Sequence, residues 1–112
     1  MSFFDSEIVR AEMAEIQELQ EEVYGQVMNF PTMNDDDKSY HIEKLEYLID
    51  KQKILYARLS LSDDPEAKKM KEEITRSAVM MGLPSNVDMN IVFNQMSQMV
   101  GIMKQQLDIS QN

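Results

Sequence analysis

Cysteine is absent from the 112 residues, so neither a disulfide nor thiolate chemistry is available and the redox compartment leaves no mark on the chain. Histidine occurs once, at His41. A di-iron carboxylate bundle needs two Glu-x-x-His pairs, and the residue three before His41 is Lys38. The three glycines, Gly25, Gly82 and Gly101, stand too far apart to build a phosphate-cradling loop, and no nucleophile elbow accompanies the serines and threonines. A noncatalytic protein without a cofactor is therefore expected. Positive charge is also scarce, with 11 Lys and Arg against 20 Asp and Glu, a net of −9. Affinity for nucleic acid comes largely from neutralising phosphates with Lys and Arg, so no nucleic-acid partner is expected, and an anionic membrane surface is disfavoured for the same reason. The start, Met1 to Asp5, has neither the basic residues nor the apolar run of a signal peptide, and no run reaches the roughly 20 apolar residues that span a bilayer. These absences predict a soluble, cytoplasmic protein, and the length predicts one domain over residues 1–112.

What is present is unevenly placed. Residues 1–50 carry a net charge of −10, residues 51–76 a net of +2 and residues 77–112 a net of −1. Seven of the 11 methionines fall after residue 69, and no charged residue lies between Met89 and Met103. A surface of that kind must be covered by the chain's own helices, by a second copy or by a foreign partner.

Apolar spacing and end signals predict four helices, over residues 6–29, 38–61, 65–81 and 86–108, with a loop over 30–37. Val9, Met13, Ile16, Gln20, Val23 and Val27 step by threes and fours in the first, as do Ile42, Leu45, Ile49, Gln52, Tyr56 and Leu59 in the second. Each stripe carries one glutamine, Gln20 or Gln52, the plainer role for which is the edge of a seam. Asp64-Pro65 opens the third helix and Gly82 closes it, with Ala67, Met70, Ile74, Ala78 and Met81 on its apolar face and Glu72 spaced to pair with Arg76. Ser85 and Asp88 have the spacing of a capping box before the fourth helix. There Met89, Val92, Met96, Met99 and Met103 line one face, and Ile91, Phe93, Val100, Ile102 and Leu107 widen it beyond what a solvated surface helix carries. Residues Asp108 to Asn112 are expected to fray. The fold class is all-α, a mostly antiparallel bundle of four segments made of a long helical hairpin plus two shorter helices.

Glu12, Glu15, Glu18 and Glu22 repel one another along the first helix, and Lys51, Lys53 and Arg58 lie where an antiparallel hairpin brings them alongside its first half. Neutralisation within the chain is the first reading of that acidic ridge, and a docking face for a basic partner the second. Asp35, Asp37, Ser39 and Glu46 have the carboxylate spacing of a calcium loop, but Tyr40 stands where the loop needs glycine, which leaves a solvated linker. Phe3 and Phe4 are expected to tuck into the bundle.

The opening Phe3-Phe4-Asp5-Ser6-Glu7-Ile8-Val9, the helix from Ile42-Glu43-Lys44-Leu45-Glu46 to Arg58, the junction Leu61-Ser62 with Asp64, and Phe93-Asn94-Gln95-Met96 resemble a family of short proteins from cyanobacteria and their phages, catalogued as a domain of unknown function. The resemblance implies a helical fold in a cyanobacterial or cyanophage setting, and implies no activity, cofactor or functional residue. Together these readings predict a small acidic interaction or adaptor protein, forming a homodimer through Ile91, Val92, Met96, Met99, Val100, Met103 and Leu107. Glu12, Glu15, Glu18 and Glu22 are its second candidate surface, for a host or phage protein. The competing readings are a metal- or ligand-binding protein using His41 with Glu43, Glu46 and the acidic first helix, and a virion or assembly component.

Overall fold

Ser2 and Asp5 cap each other across a short 3₁₀ segment, Phe3–Asp5, before Ser6 accepts the Val9 N–H and starts α1, Glu7–Gln26. A computed structural model of the chain describes residues 2–111, with side chains through Asp108. A second 3₁₀ segment, Val27–Thr32, follows α1 and contains Pro31. Asn34 then accepts the Asp37 N–H at 2.8 Å and opens α2, Asp35–Leu61. The expected loop is thus largely ordered backbone. Asp35, Asp36 and Asp37 form the first turn of α2 rather than a linker, where their charge complements the positive end of the helix dipole.

Asp64 caps α3, Pro65–Met80, by accepting the Glu66 N–H at 2.9 Å, and Pro65 occupies the first turn. Gly82 ends it at φ 105°, a conformation that side chains with a Cβ disfavour. In α4, Met89–Gln111, the start lies later than expected, because Asp88 alone accepts the Asn90 N–H at 2.9 Å and no Ser85–Asp88 box forms. At 23 residues α4 exceeds the 20 of α1, so it is not one of two short helices. The helix continues through Asp108 to Gln111, and Asn112, the end of the segment expected to fray, lies outside the described residues.

All four helices form, as the apolar spacing predicts, and among the described residues there is no strand. The bundle is built around α2, against which α1, α3 and α4 all pack. Its buried and half-buried positions repeat every seven residues: His41, Ile42 and Leu45, then Leu48, Ile49 and Gln52, then Leu55, Tyr56 and Leu59. Leu48, Leu55 and Leu59 meet Val9, Ile16, Leu19 and Val23 of α1 with Ala67 of α3, while Ile42 and Ile49 meet Val100 and Leu107 of α4. Tyr56 joins Ala78, Met89 and Phe93 in a third cluster, its ring edge-on to Phe93 at 5.7 Å. Leu45 bridges the first two clusters and Ile74 the first and third.

The expected stripes missed Leu19, Leu48 and Leu55, because a single line of apolar residues describes a helix with one neighbour and α2 has three. Val27 and Met81 were placed on apolar faces yet are exposed, since each lies just past the end of its helix. Glu72 and Arg76 form no ion pair, whereas Phe3 and Phe4 pack against the first cluster as expected, held by an Asp64 carboxylate that accepts the Phe3 N–H. Two backbone N–H donors, from Phe3 and Glu66, hold that carboxyl below its usual range.

The molecule measures 51 × 32 × 21 Å and has a radius of gyration of 15.9 Å. A compact chain of this size has one of about 13 Å, so the bundle is long and flat. α1 and α4 flank α2 with little direct packing between their backbones. The groove between them, about 500 Å³, is bordered by α3 and lined by Met13, Ile16, Leu55, Met70, Ile74 and Phe93. Gln20 and Gln52 also line it, both half-buried at the edge of the core.

Candidate functional site

Two helix faces and one cleft hold the residues singled out in the sequence. Along α1 and α2 a polar motif recurs at seven-residue spacing. Glu22 accepts the Tyr40 hydroxyl at 3.3 Å and lies 3.8 Å from the Lys44 ammonium; Glu15 accepts the Tyr47 hydroxyl and lies 3.3 Å from Lys51. In both units the lysine sits 5.3 Å from the centre of the tyrosine ring. One step further along, Ile54 replaces the tyrosine, and Arg58 reaches Glu12 instead, its Nε 3.1 Å from Oε2.

Electrostatics follow the geometry. The Tyr47 hydrogen bond, aided by Lys51, holds the Glu15 carboxyl below its ordinary value, and Lys51 is raised by its bond to Glu15. Tyr40 first and Glu22 second raise Lys44. Glu12, Glu15 and Glu22 of the candidate acidic face are therefore engaged by α2, and Glu18 is the member exposed without such a partner. Lys53 turns the other way and donates to Asn94 of α4 at 2.8 Å. Tyr40 and Tyr47 escaped the sequence reading, although Tyr-x-x-x-Lys recurs at the same spacing as Glu15 and Glu22.

The second face is on α4. Val100, 3% exposed, and Leu107 are buried against α2 together with Met89 and Phe93, and so belong to the core of one chain. Of the remaining members of the candidate interface, Val92 and Met103 pack against the edges of those core clusters, and Ile91, Met96 and Met99 are exposed. Val92 and Met103 are half-buried, Met96 is 36% exposed, Ile91 55% and Met99 66%. Ile102, on the same outer side, is 54% exposed. Val92, Met96, Met99 and Met103 step by four, three and four residues, the spacing of a second helix-packing seam. The sequence reading merged two seams on α4, because the helix is apolar on both.

The cleft lies at the turn of the α1–α2 hairpin, with a volume of about 620 Å³. His41, Glu22, Tyr40, Lys44, Asp37 and Asn34 are among its lining residues. His41 is only 6% exposed and packs on the Phe30 ring at 5.3 Å. Burial pushes its imidazole below the ordinary histidine value, and the nearby Glu22 opposes the shift. Its acidic neighbour is thus Glu22, whereas Glu46 pairs with Lys104 of α4 at 3.5 Å and Glu43 is exposed. Among the described residues no group of three or more His, Asp or Glu side chains is arranged to hold a metal ion. None of the described helices is long and apolar enough to cross a membrane.

A family model described as Domain of unknown function (DUF1825) matches residues 1–107. Comparison with curated proteins and with solved structures gives no match.

Proposed function

The chain belongs to the DUF1825 family, and we propose that it is a noncatalytic helical interaction protein that presents the outer flank of α4 to a protein partner. The observation that carries this reading is the uncharged seam from Val92 to Met103, with Met99 and Ile102 more than half exposed on a chain that is otherwise dense with charge. Contiguous apolar surface rimmed by polar groups marks interaction sites, and methionine side chains adapt readily to a partner's shape. The glutamines Gln95 and Gln98 along the same flank suit the polar rim of such a contact. Where the chain is phage-encoded, one of the two settings that the family resemblance implies, a host protein or a component of phage assembly is a candidate for that partner.

The test is copurification of the full chain from its native cells beside the Met99→Glu variant. The reading expects a partner retained by the native chain and lost with the variant at unchanged helix content. An identical set of proteins with both, copies of the chain itself included, would contradict it.

A second reading has its own observation, the cleft around His41, whose size suits a small polar ligand. Because His41 is the one histidine, its imidazole proton resonances report directly on that cleft. Stoichiometric metal in untagged protein, or displacement of those resonances by a copurifying small molecule, would move this reading to first place; their absence leaves the α4 flank.

A further inference from the structure

We infer that the occupant of the α4 flank is a second copy of this chain, paired antiparallel about a two-fold axis that passes between Met96 and Met99. The inference rests on the reading of that flank as a protein-interaction surface and names its partner. Three observations select a second copy over a foreign helix.

The first is charge. Two bodies of net −9 repel unless their contact keeps acids apart, and α4 places no charged side chain between Met89 and Met103. A copy brings another uncharged seam, whereas a charged partner must strip water from its ions against thioethers that offer no countercharge.

The second is register. Val92, Met96, Met99 and Met103 are symmetric about their midpoint, so an antiparallel two-fold sets Val92 level with Met103 of the second copy and Met96 level with Met99. An isologous contact requires such self-complementarity. Antiparallel pairing opposes the two helix dipoles, where parallel pairing sets like ends side by side.

The third is shape. At 21 Å in its thinnest direction the bundle is flat, and α4 packs mainly on α2, one of the two neighbours that a helix in a four-helix bundle has. A second α4 supplies a further neighbour on the exposed flank at Met96 and Met99.

The absence of cysteine gives a direct test. Full-length Val92→Cys and Met103→Cys proteins are prepared separately, then oxidised alone and as an equimolar mixture. Residues 92 and 103 lie about 16 Å apart along one helix, so each variant alone holds its thiols out of reach across the axis. The expected result is a covalent dimer from the mixture at ten or more times the yield of either variant alone. Equal cross-linking by Val92→Cys alone would overturn the antiparallel arrangement. A native chain that scatters light as a 13.0 kDa monomer at micromolar concentration would overturn the second copy itself. In that event, a different protein retained by native chain and lost with Met99→Glu would leave the interaction surface standing, and no such protein would remove both.

Discussion

The α1–α2 seam and the outer flank of α4 share a seven-residue rhythm and differ in nearly everything else. The first is closed by chemistry of opposite sign. Glu15 and Glu22 of α1 each receive a tyrosine hydroxyl and a lysine from α2. The second is uncharged and exposed at Met96, Met99 and Ile102, while Val92 and Met103 at its edge pack against the chain's own core. A salt-bridged face states its partner, because cation and carboxylate occur in matching register within one sequence. An apolar face does not say what covers it.

That contrast is broken first in the core. Val100→Glu would place a charge between Ile42 and Ile49 with nothing to pair it. A cost of several kcal/mol is expected, enough to unfold the chain, and circular dichroism at room temperature reads it. Met99→Glu, one residue earlier in the same helix, should keep the helical signal and abolish association, because Met99 is exposed within one chain. If both variants unfold alike, the division of α4 into an inner and an outer seam is wrong.

A smaller effect is expected at the hairpin turn. The folded His41 titrates below its unfolded value of 6.5, so the unfolded chain takes up the proton first as the pH falls. The stability contributed by neutral His41 is full above 6.5 and declines as the pH drops below it. Thermal midpoints measured across that window should fall, and His41→Gln should flatten the decline. Smallest is the surface seam. Glu15→Gln removes a carboxylate that ionises more readily when folded, so its contribution exists above the ordinary value of 4.5 and vanishes on acidification through the lower folded value. Native and variant midpoints should differ slightly at neutral pH and converge in acid; added salt should narrow the same gap.

Much of this architecture was legible because caps and apolar periods are local. Asp64-Pro65 and Gly82 bracket α3 in the sequence as in the fold. The pairing of Lys51 and Arg58 with the acids of α1 followed from charge and hairpin topology alone. What stayed hidden depended on neighbours. Leu48 and Leu55 seemed surplus until α2 proved to be surrounded, and Asp35 to Asp37 read as linker because three acids favour a helix only at its first turn. On α4, Val100 and Met99 stand side by side in the chain and were assigned to one interface. Their separation is set by where α2 lies, which no local pattern of methionines encodes.

The central claim is that this outer seam joins two copies of the chain. Multi-angle light scattering of untagged native protein at micromolar concentration tests it most directly. The account predicts twice the 13.0 kDa of the chain for native protein and a single chain for Met99→Glu. A native protein of 13.0 kDa would contradict it.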